Sequence, residues 1–477
     1  MLFNSFEFAV FLPLVFALYW MAKRHLRLQN MLLLAASYYF YACWDWRFLF
    51  LLLFSTALDY TAAHCITKAK SESHRRIWLW LSIGINVGFL AVFKYFNFFS
   101  ESFTQLLSGF GLSITPVLLD VILPVGISFY TFHGLSYIID VYRRRTEAES
   151  DFVAYGVFVA YFPLLVAGPI ERATHLLPQV KKPREFRYHQ AVDGMRQILW
   201  GLFKKIVIAD NCSVFVDQIF HDPAAYSGST LALGAVLFAV QIYGDFSGYS
   251  DIALGVSKLF GIELLRNFSF PYFSRDIAEF WRRWHMSLSS WFRDYLYIPL
   301  GGSKGGKWMR IRNTFAIFLV SGFWHGANWT YLFWGFLNAV YFLPLLLSDR
   351  NRTHLDSVAA GRIFPSLKEL VQVLITFCLS TLAWIFFRAP SLESAFSYCR
   401  HLFSPSLFSL PEIRPFYLFV LLFVFFIIEW LGRESVHPLE KIVRMPRVVR
   451  WSCYIGLLVV LFVFRQMHEV PFIYFQY

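Results

Sequence analysis

Long apolar stretches separated by short polar joints are the feature of this sequence that most restricts its fold. They recur along all 477 residues, for example at residues 8–21, 315–347 and 451–464. About 20 apolar residues in a helix cross a bilayer core, and a helix satisfies its own backbone polar groups there. The pattern therefore predicts an all-α integral membrane protein with about ten to twelve transmembrane helices.

The composition agrees with this prediction. Hydrophobic residues make up 57% of the chain and charged residues 16%, a balance that the surface of a water-soluble domain does not show. Residues 8–21 have no basic segment before them and no small-residue cleavage site after them, so we expect a retained helix. The six cysteines are scattered singly, which predicts neither a disulfide framework nor a metal site.

The polar joints differ in charge, and the difference predicts a topology. Basic residues exceed acidic ones by three in each of residues 22–30, 67–76 and 432–450, whereas residues 97–116 carry only one acid. Joints rich in Lys and Arg stay in the cytoplasm. Both the N-terminus and the C-terminus are therefore expected outside, and the net charge of +12 is read as a topology signal and not as a nucleic-acid site.

The middle of the chain differs from its flanks because Pro, Gly and charge interrupt its apolar runs at residues 123–126, 167–169 and 244–248. Irregular backbone at membrane depth is tolerated where protein or a water-filled cavity receives it. We therefore expect broken or re-entrant segments around a central funnel. No repeat and no long linker divides the sequence, so residues 1–477 are expected to form a single membrane domain.

Residues 261–312 form the most polar region, with nine basic and four acidic residues. We expect this basic segment to contain an amphipathic helix that lies in the cytoplasmic interface. Its apolar face is predicted from positions that recur at steps of three and four, namely Phe280, Trp284, Leu288, Trp291 and Tyr295.

His325 is the leading candidate for chemistry because it lies within an otherwise apolar stretch, in Trp324-His325-Gly326. A titratable side chain in hydrocarbon is costly and is by default a functional hypothesis. A neutral imidazole can take the proton of a hydroxyl as that hydroxyl attacks a thioester carbonyl. The alternative interpretation is a structural histidine that bonds a neighbouring helix.

Other polar residues in apolar surroundings have weaker cases. His285 lies at the edge of the predicted amphipathic face, where a histidine often has no chemical role. For His133 we prefer a packed, hydrogen-bonded core residue. The carboxylates could serve proton or ion transport, but we expect them to pair across helices. They are Asp59, Asp140, Asp245 and Asp251.

Eight stretches together resemble one known family in their order along the chain. They are residues 124–132 (PVGISFYTF), 140–143 (DVYR), 162–170 (FPLLVAGPI), 244–251 (GDFSGYSD), 280–289 (FWRRWHMSLS), 293–302 (RDYLYIPLGG), 324–326 (WHG) and 384–389 (WIFFRA). The chain resembles the membrane-bound O-acyltransferase family, and within it the bacterial branch that acetylates alginate.

The resemblance implies that His325 is the essential histidine of the family and that His285 matches a second one. It implies acetyl transfer from a cytoplasmic thioester, acetyl-CoA or another acyl thioester, to an envelope polysaccharide across the bacterial inner membrane. No bound cofactor and no metal is expected. The expected partners are a periplasmic or membrane-anchored acetyltransferase, the polysaccharide acceptor and membrane lipid. Candidates that line the cavity or face the donor are Trp324, Asn328, Arg293, Asp294 and Tyr297.

Two positions near the ends of these motifs need comment. Similar proteins often carry a histidine where this chain has Asn338, and an amide cannot act as a base. The aromatic tail, residues 466–477, ends in Tyr477. A tyrosine hydroxyl there could accept the acyl group and hand it onward, or the tail could be an interfacial aromatic anchor.

Several functions remain open from the sequence. The same mechanism could acetylate peptidoglycan or transfer D-alanine to teichoic acid. A secondary transporter is an alternative of another class, although the matched interrupted segments typical of transporters are not found. A scaffold that only holds a separate enzyme at the membrane is a further alternative.

Overall fold

The computed structural model describes residues 1–112, 114–166, 168–466 and 470–473. Within these ranges the regular structure is entirely helical, as the apolar pattern predicts. The chain forms two compact units. The first comprises Met1–Ala191 with Val256–Leu265, and the second comprises Val192–Gly255 with Arg266–Tyr477.

In its described residues, the first unit is built mainly from nine α-helices. They are α1 (Phe6–Met21), α2 (Leu26–Ala42), α3 (Arg47–Lys68), α4 (Glu72–Leu90), α5 (Phe96–Gly109), α6 (Ile127–Tyr142), α7 (Phe152–Ala160), α8 (Phe162–Leu165) and α9 (Ala173–Val180). A buried polar cluster joins three of them. Asp59 of α3 accepts hydrogen bonds from Ser82 and Asn86 of α4, and its carboxylate packs against Gly134 of α6.

The second unit, as far as its residues are described, contains eleven further α-helices, two of which begin or end across its boundary. They are α10 (Tyr188–Leu202), α11 (Asp210–His221), α12 (Gly228–Leu259), α13 (Ile277–Arg283), α14 (Met286–Phe292), α15 (Gly306–His325), α16 (Trp329–Leu347), α17 (Leu367–Arg388), α18 (Leu392–Leu402), α19 (Phe416–Gly432) and α20 (Arg447–Val463). A π-helical turn, Phe203–Ala209, links α10 to α11.

Five helical segments in the described part of the chain are long and apolar enough to cross a membrane. They are Arg47–Lys68, Glu72–Gly109, Gly228–Leu259, Trp329–Leu347 and Leu367–Arg388. Shorter apolar helices include α1 and α19. The multi-pass character is therefore supported, while the count of ten to twelve crossings and the central funnel stay predictions.

The predicted break at residues 244–248 is wrong, because α12 runs through this segment without interruption. The glycines of this segment instead allow two helices to pack closely. A Cβ atom on Gly248 would lie 2.8 Å from the carbonyl oxygen of Gly201, and one on Gly201 would lie 2.6 Å from that of Gly248. Small residues let helices in a membrane approach this closely, so the glycines join α10 to α12.

The prediction of one amphipathic helix in the basic segment is also wrong in part. The structure has two short helices, α13 and α14, separated at Trp284 and His285. The predicted face is nevertheless buried, since Phe280, Trp284 and Leu288 are each at most 2% exposed. Side-chain periodicity predicted which residues face inward but did not reveal the break.

Candidate active site

His285 occupies the break between α13 and α14, and its backbone is left-handed, with φ 43° and ψ 54°. Such a conformation in a residue other than glycine costs about 1–3 kcal/mol and persists where the surroundings enforce it. Here the Met286 amide donates to the Asn267 carbonyl at 2.9 Å, and the Ser287 hydroxyl donates to the Asn267 side chain at 2.5 Å. These bonds hold the backbone that directly follows His285.

His325 is the last residue of α15, and the chain turns there into α16. Asn328 is the N-cap residue of α16, because its side-chain oxygen accepts a hydrogen bond from the Thr330 amide at 3.0 Å. Its side-chain nitrogen donates to the Pro390 carbonyl at 3.0 Å. Asn328, predicted as a cavity residue, therefore fixes the turn that positions His325.

The structure brings the two predicted histidines together. Their ring centroids lie 6.4 Å apart at an interplanar angle of 61°, and the residues are 1% and 4% exposed. The Trp324 ring lies 6.0 Å from the His285 ring and 4.8 Å from the His325 ring. A single buried site therefore contains both imidazoles and the tryptophan predicted beside them.

Aromatic rings enclose the pair. Phe246 of α12 lies edge-on to His285, with centroids 4.7 Å apart. Trp334 and Phe387 lie edge-on to His325 at 5.2 and 5.3 Å. The sequence motifs contained Phe246 and Phe387, but no site role was predicted for them or for Trp334. The enclosure keeps water from the pair, which strengthens electrostatic effects between substrate and protein.

The His285 imidazole makes no hydrogen bond within the described part of the chain. Within the described residues, neither of its ring nitrogens has a hydrogen-bond partner, although buried polar atoms are normally paired. Burial lowers the pKa of His285 to about 3, because the charged form is poorly solvated there. The ring is therefore neutral at physiological pH, with one N–H available to a bound molecule.

The donor-side candidates lie at a separate cavity of about 220 Å³ in the same unit. Arg293 and Tyr297 line it together with apolar side chains such as Phe292 and Phe318. The Arg293 side chain is 63% exposed and lies 2.8 Å from the Asp294 carboxylate. Asp294 is not among the residues that line the cavity, so its predicted role has no support beyond this ion pair.

Ser321 connects this cavity to the histidine site along one helix. It lines the cavity and precedes His325 by four residues in α15, which places both side chains on one face of the helix. Trp281 also lines the cavity and packs against Trp334 at 5.6 Å. The cavity and the histidine pair therefore share a wall.

The remaining predicted positions have simpler explanations. His133 accepts a hydrogen bond from the Glu171 amide at 3.1 Å, which confirms a packed core residue. Asn338 donates to the Trp334 backbone carbonyl and accepts from the Trp281 indole, so it orients the Trp281 ring that packs on Trp334. Tyr477 lies outside the described residues. No cluster of three or more potential metal ligands occurs in the part of the chain that is described.

Comparison with known proteins identifies the family of the chain. The model of the family described as MBOAT, membrane-bound O-acyltransferase family, matches residues 145–387, a range that includes both histidines. The chain belongs to the membrane-bound O-acyltransferase family. It is thus an O-acyltransferase with the apolar helices of a multi-pass membrane protein.

Three relatives show the range of activities that similar chains carry. The protein named "Probable alginate O-acetylase AlgI" of Pseudomonas aeruginosa is 40% identical over 86% of this chain and 76% of the relative. A peptidoglycan O-acetyltransferase of Helicobacter pylori is 35% identical over 83% of this chain and 78% of the relative. A teichoic acid D-alanyltransferase of Bacillus subtilis is 30% identical over 45% of this chain and 57% of the relative.

Proposed function

We propose that this protein moves an acetyl group from a cytoplasmic thioester to hydroxyl groups of a cell-envelope polysaccharide, alginate or a similar exopolysaccharide. The observation that carries this proposal is the enclosed pair of imidazoles, His285 and His325, with ring centroids 6.4 Å apart. The polysaccharide acceptor is proposed from the relative named for alginate O-acetylation.

In the proposed reaction His325 is the general base. Its neutral imidazole removes the proton of the acceptor hydroxyl while the oxygen attacks the thioester carbonyl carbon. The carbon–sulfur bond then breaks, the ester forms, and the proton passes from His325 to the departing thiolate. A positioned base of this kind contributes about 10²–10⁴-fold in rate.

His285 has a different role in this proposal. A base works best when its pKa is near the working pH, and the lowered pKa of His285, about 3, makes it a poor proton acceptor. A neutral imidazole N–H can instead donate a hydrogen bond to the oxygen that becomes negative during attack. Neither ring nitrogen of His285 has a partner among the described residues, which leaves its N–H for that bond.

The donor is proposed to approach through the cavity of about 220 Å³. Apolar side chains there suit an uncharged thioester arm, and Arg293 suits an anionic group of acetyl-CoA or of another thioester carrier. The excess of basic residues in residues 261–312 supports a cytoplasmic position for this side. A partner transferase outside the membrane would receive the group before the final acceptor.

Tyr477 is proposed as an intermediate acyl carrier in that hand-over. Its hydroxyl would attack the thioester, and the resulting phenyl ester would pass the acetyl group to the partner. Mass spectrometry of the C-terminal peptide checks this, because an acetyl adduct on Tyr477 is expected and Tyr477→Phe should abolish polymer acetylation. Full activity of Tyr477→Phe would exclude the relay and leave the aromatic anchor.

Peptidoglycan O-acetylation is the second candidate, favoured by the Helicobacter pylori relative at 35% identity. The two candidates differ in acceptor and not in mechanism. Acetyl content measured separately on isolated exopolysaccharide and on isolated peptidoglycan, in cells with and without the gene, distinguishes them. D-alanylation of teichoic acid would appear as loss of ester-linked alanine with acetyl content unchanged.

The decisive experiment is His325→Ala, with exposed His401→Ala as the matched control. Loss of polymer acetylation is expected for His325→Ala at unchanged protein level, and unchanged acetylation for His401→Ala. A scaffold would keep full acetylation in both variants. A secondary transporter would show substrate uptake without acetyl transfer from labelled acetyl-CoA in proteoliposomes.

A further inference from the structure

Three charged side chains are buried together in the second unit, away from the proposed reaction. The Lys205 ammonium lies 2.7 Å from the Asp210 carboxylate and 2.8 Å from the Asp245 carboxylate. All three residues are at most 4% exposed. Buried ion pairs seldom stabilise a fold more than apolar side chains of the same size would, so the cluster needs another explanation.

The π-helical turn Phe203–Ala209 makes the cluster possible. Consecutive side chains of a regular α-helix point about 100° apart, and yet Lys204 and Lys205 are both buried. The wider turn directs both towards α12, where Lys204 pairs with Asp251 at 2.6 Å and Lys205 pairs with Asp245. Such turns are frequent at functional sites.

The C-terminal tail is bound directly to this cluster. The Lys205 ammonium donates a hydrogen bond to the Val470 carbonyl at 3.2 Å, and the Ile473 amide donates to the Asp245 carboxylate at 2.7 Å. Both contacts are to tail backbone. The cluster therefore fixes the backbone of residues 470–473, and these contacts do not depend on the side chains of the tail.

The bound tail reaches the neighbourhood of the histidines through one aromatic ring. Phe472 is fully buried and packs on Tyr249 at 4.4 Å and on Phe246 at 6.1 Å. Phe246 in turn lies 4.7 Å from the His285 ring. Asp245, Phe246 and Tyr249 lie on one short segment of α12. The tail residues that bind Asp245 therefore also pack on Phe246, the ring that contacts His285.

We propose that the Lys205–Asp210–Asp245 cluster is an anchor that positions the C-terminal tail, and that the anchored tail supports Phe246 against His285. The inference rests on the proposed function for its consequence in catalysis. Lys205 and Asp245 are thus positioning residues: they do not touch the substrate, and their loss lowers the rate by releasing the tail. A small misplacement of reacting groups can cost about 10²-fold in rate.

The sharpest test compares Asp245→Asn with Asp245→Leu. An asparagine oxygen still accepts from the Ile473 amide, and the Lys205–Asp210 pair remains, whereas leucine removes the acceptor. We expect Asp245→Asn to keep the tail bound and most of the acetylation. Asp245→Leu should expose the Ile473 amide to hydrogen exchange and lower acetylation about 10²-fold. Equal exchange and equal activity in the two variants would contradict the anchor.

A second variant leaves the buried charges unchanged. Ile473→Pro removes the tail amide that Asp245 binds, so it should reproduce the exchange and activity changes of Asp245→Leu even if Asp245→Leu folds poorly. Lys204→Met is the matched control, because it removes a buried ammonium that pairs with Asp251 and makes no hydrogen bond to the described tail residues 470–473. Tail protection should survive in Lys204→Met.

The same set of variants separates this inference from the proposed function. If His325→Ala keeps full acetylation, the proposed function fails, while the exchange measurement on Asp245→Leu still decides whether the tail is anchored. If His325→Ala is inactive but a released tail leaves the rate unchanged, the proposed function stands and the positioning role is excluded.

Discussion

At the scale of single residues, the conformation of His285 is informative. A left-handed backbone, complete burial and two unpartnered ring nitrogens are each unfavourable for folding. Their coincidence at one residue is typical of a site where ligand binding, and not stability, determines the arrangement.

The proposed donor role of His285 predicts the effect of its replacement. His285→Ala removes the N–H that would stabilise the developing negative charge, so kcat should fall about 10²–10³-fold, with KM for the thioester little changed. His285→Asn keeps an amide donor and tolerates the left-handed backbone, and it should retain more activity than the alanine variant. Steady-state kinetics on labelled acetyl-CoA provide the measurement; an alanine variant as active as the asparagine variant would contradict the role.

The pKa of His285 also predicts how stability depends on pH. The folded-state pKa of about 3 lies below the usual value near 6.5. As the pH falls below about 6.5 the unfolded chain takes up a proton that the folded chain does not, so folding loses about 1.4 kcal/mol per pH unit. His325 is the titratable ring that faces His285 and stays unchanged in the test. Thermal unfolding in detergent at pH 7 and pH 5 should show a smaller loss for His285→Asn than for the parent chain.

The sequence led to both histidines, but for different reasons. His325 was recognisable as a titratable residue in an apolar stretch, and His285 gained its place from the family resemblance. The enclosing rings Phe246, Trp334 and Phe387 were not predicted as site residues, because aromatic residues are abundant in this chain and only tertiary packing selects those that contact a histidine. Pairing was predicted for Asp245 and Asp251, but their lysine partners were not.

At the scale of helices, the hairpin of α15 and α16 carries the site. The two helices touch through glycine: a Cβ atom on Gly335 would lie 2.3 Å from the carbonyl oxygen of Phe318. Backbone cannot move aside as a side chain can, so any larger residue would separate the helices. The end of α15, where His325 lies, would move with them.

Gly335→Ala is therefore expected to lower the free energy of unfolding by about 1–3 kcal/mol and to lower activity as well. Gly456→Ala in α20 is the matched control, since no described atom outside the local backbone of its own helix lies within 4 Å of the position of its Cβ. In that variant alanine should be neutral or stabilising by up to about 1 kcal/mol. Unfolding midpoints of the purified variants compare the two; equal midpoints would contradict the close approach.

Apolar length predicted the helices at residues 8–21 and 451–464, where the structure has α1 and α20, and the two wrong predictions concern glycine and backbone strain. The glycines of residues 244–248 suggested a break in the helix, but in the structure they allow α10 and α12 to approach closely. No glycine or proline marks the break at His285. Hydrogen bonds to Asn267, a residue well before the break in the sequence, hold the two short helices apart. Sequence pattern alone contains no such tertiary information.

At the scale of the whole molecule, the second unit contains both histidines, the cavity and the tail anchor. The charge of the joints predicts that both termini lie outside. A chain whose ends are on the same side crosses the membrane an even number of times, so ten or twelve crossings fit this topology and eleven do not.

Reporter fusions test this topology. Alkaline phosphatase fused to the C-terminus should be active and green fluorescent protein fused there should be dark, because the phosphatase folds outside the cytoplasm. The same reporters inserted in residues 22–30 serve as the inverse control, where the basic joint is expected inside. A fluorescent C-terminal fusion would overturn the predicted orientation of the tail and, with it, the outward hand-over from Tyr477.

The π-helical turn Phe203–Ala209 has a consequence for insertions and deletions. It fits one residue more into its span than a regular helix would. Removing that extra residue would let the turn close as a regular helix and would leave the directions of the flanking helices nearly unchanged, whereas removing a residue from a regular helix shifts the preceding side chains by about 100°. A one-residue deletion in this turn, at a position other than the two lysines, should therefore disrupt the protein less than a one-residue deletion in the regular part of α10.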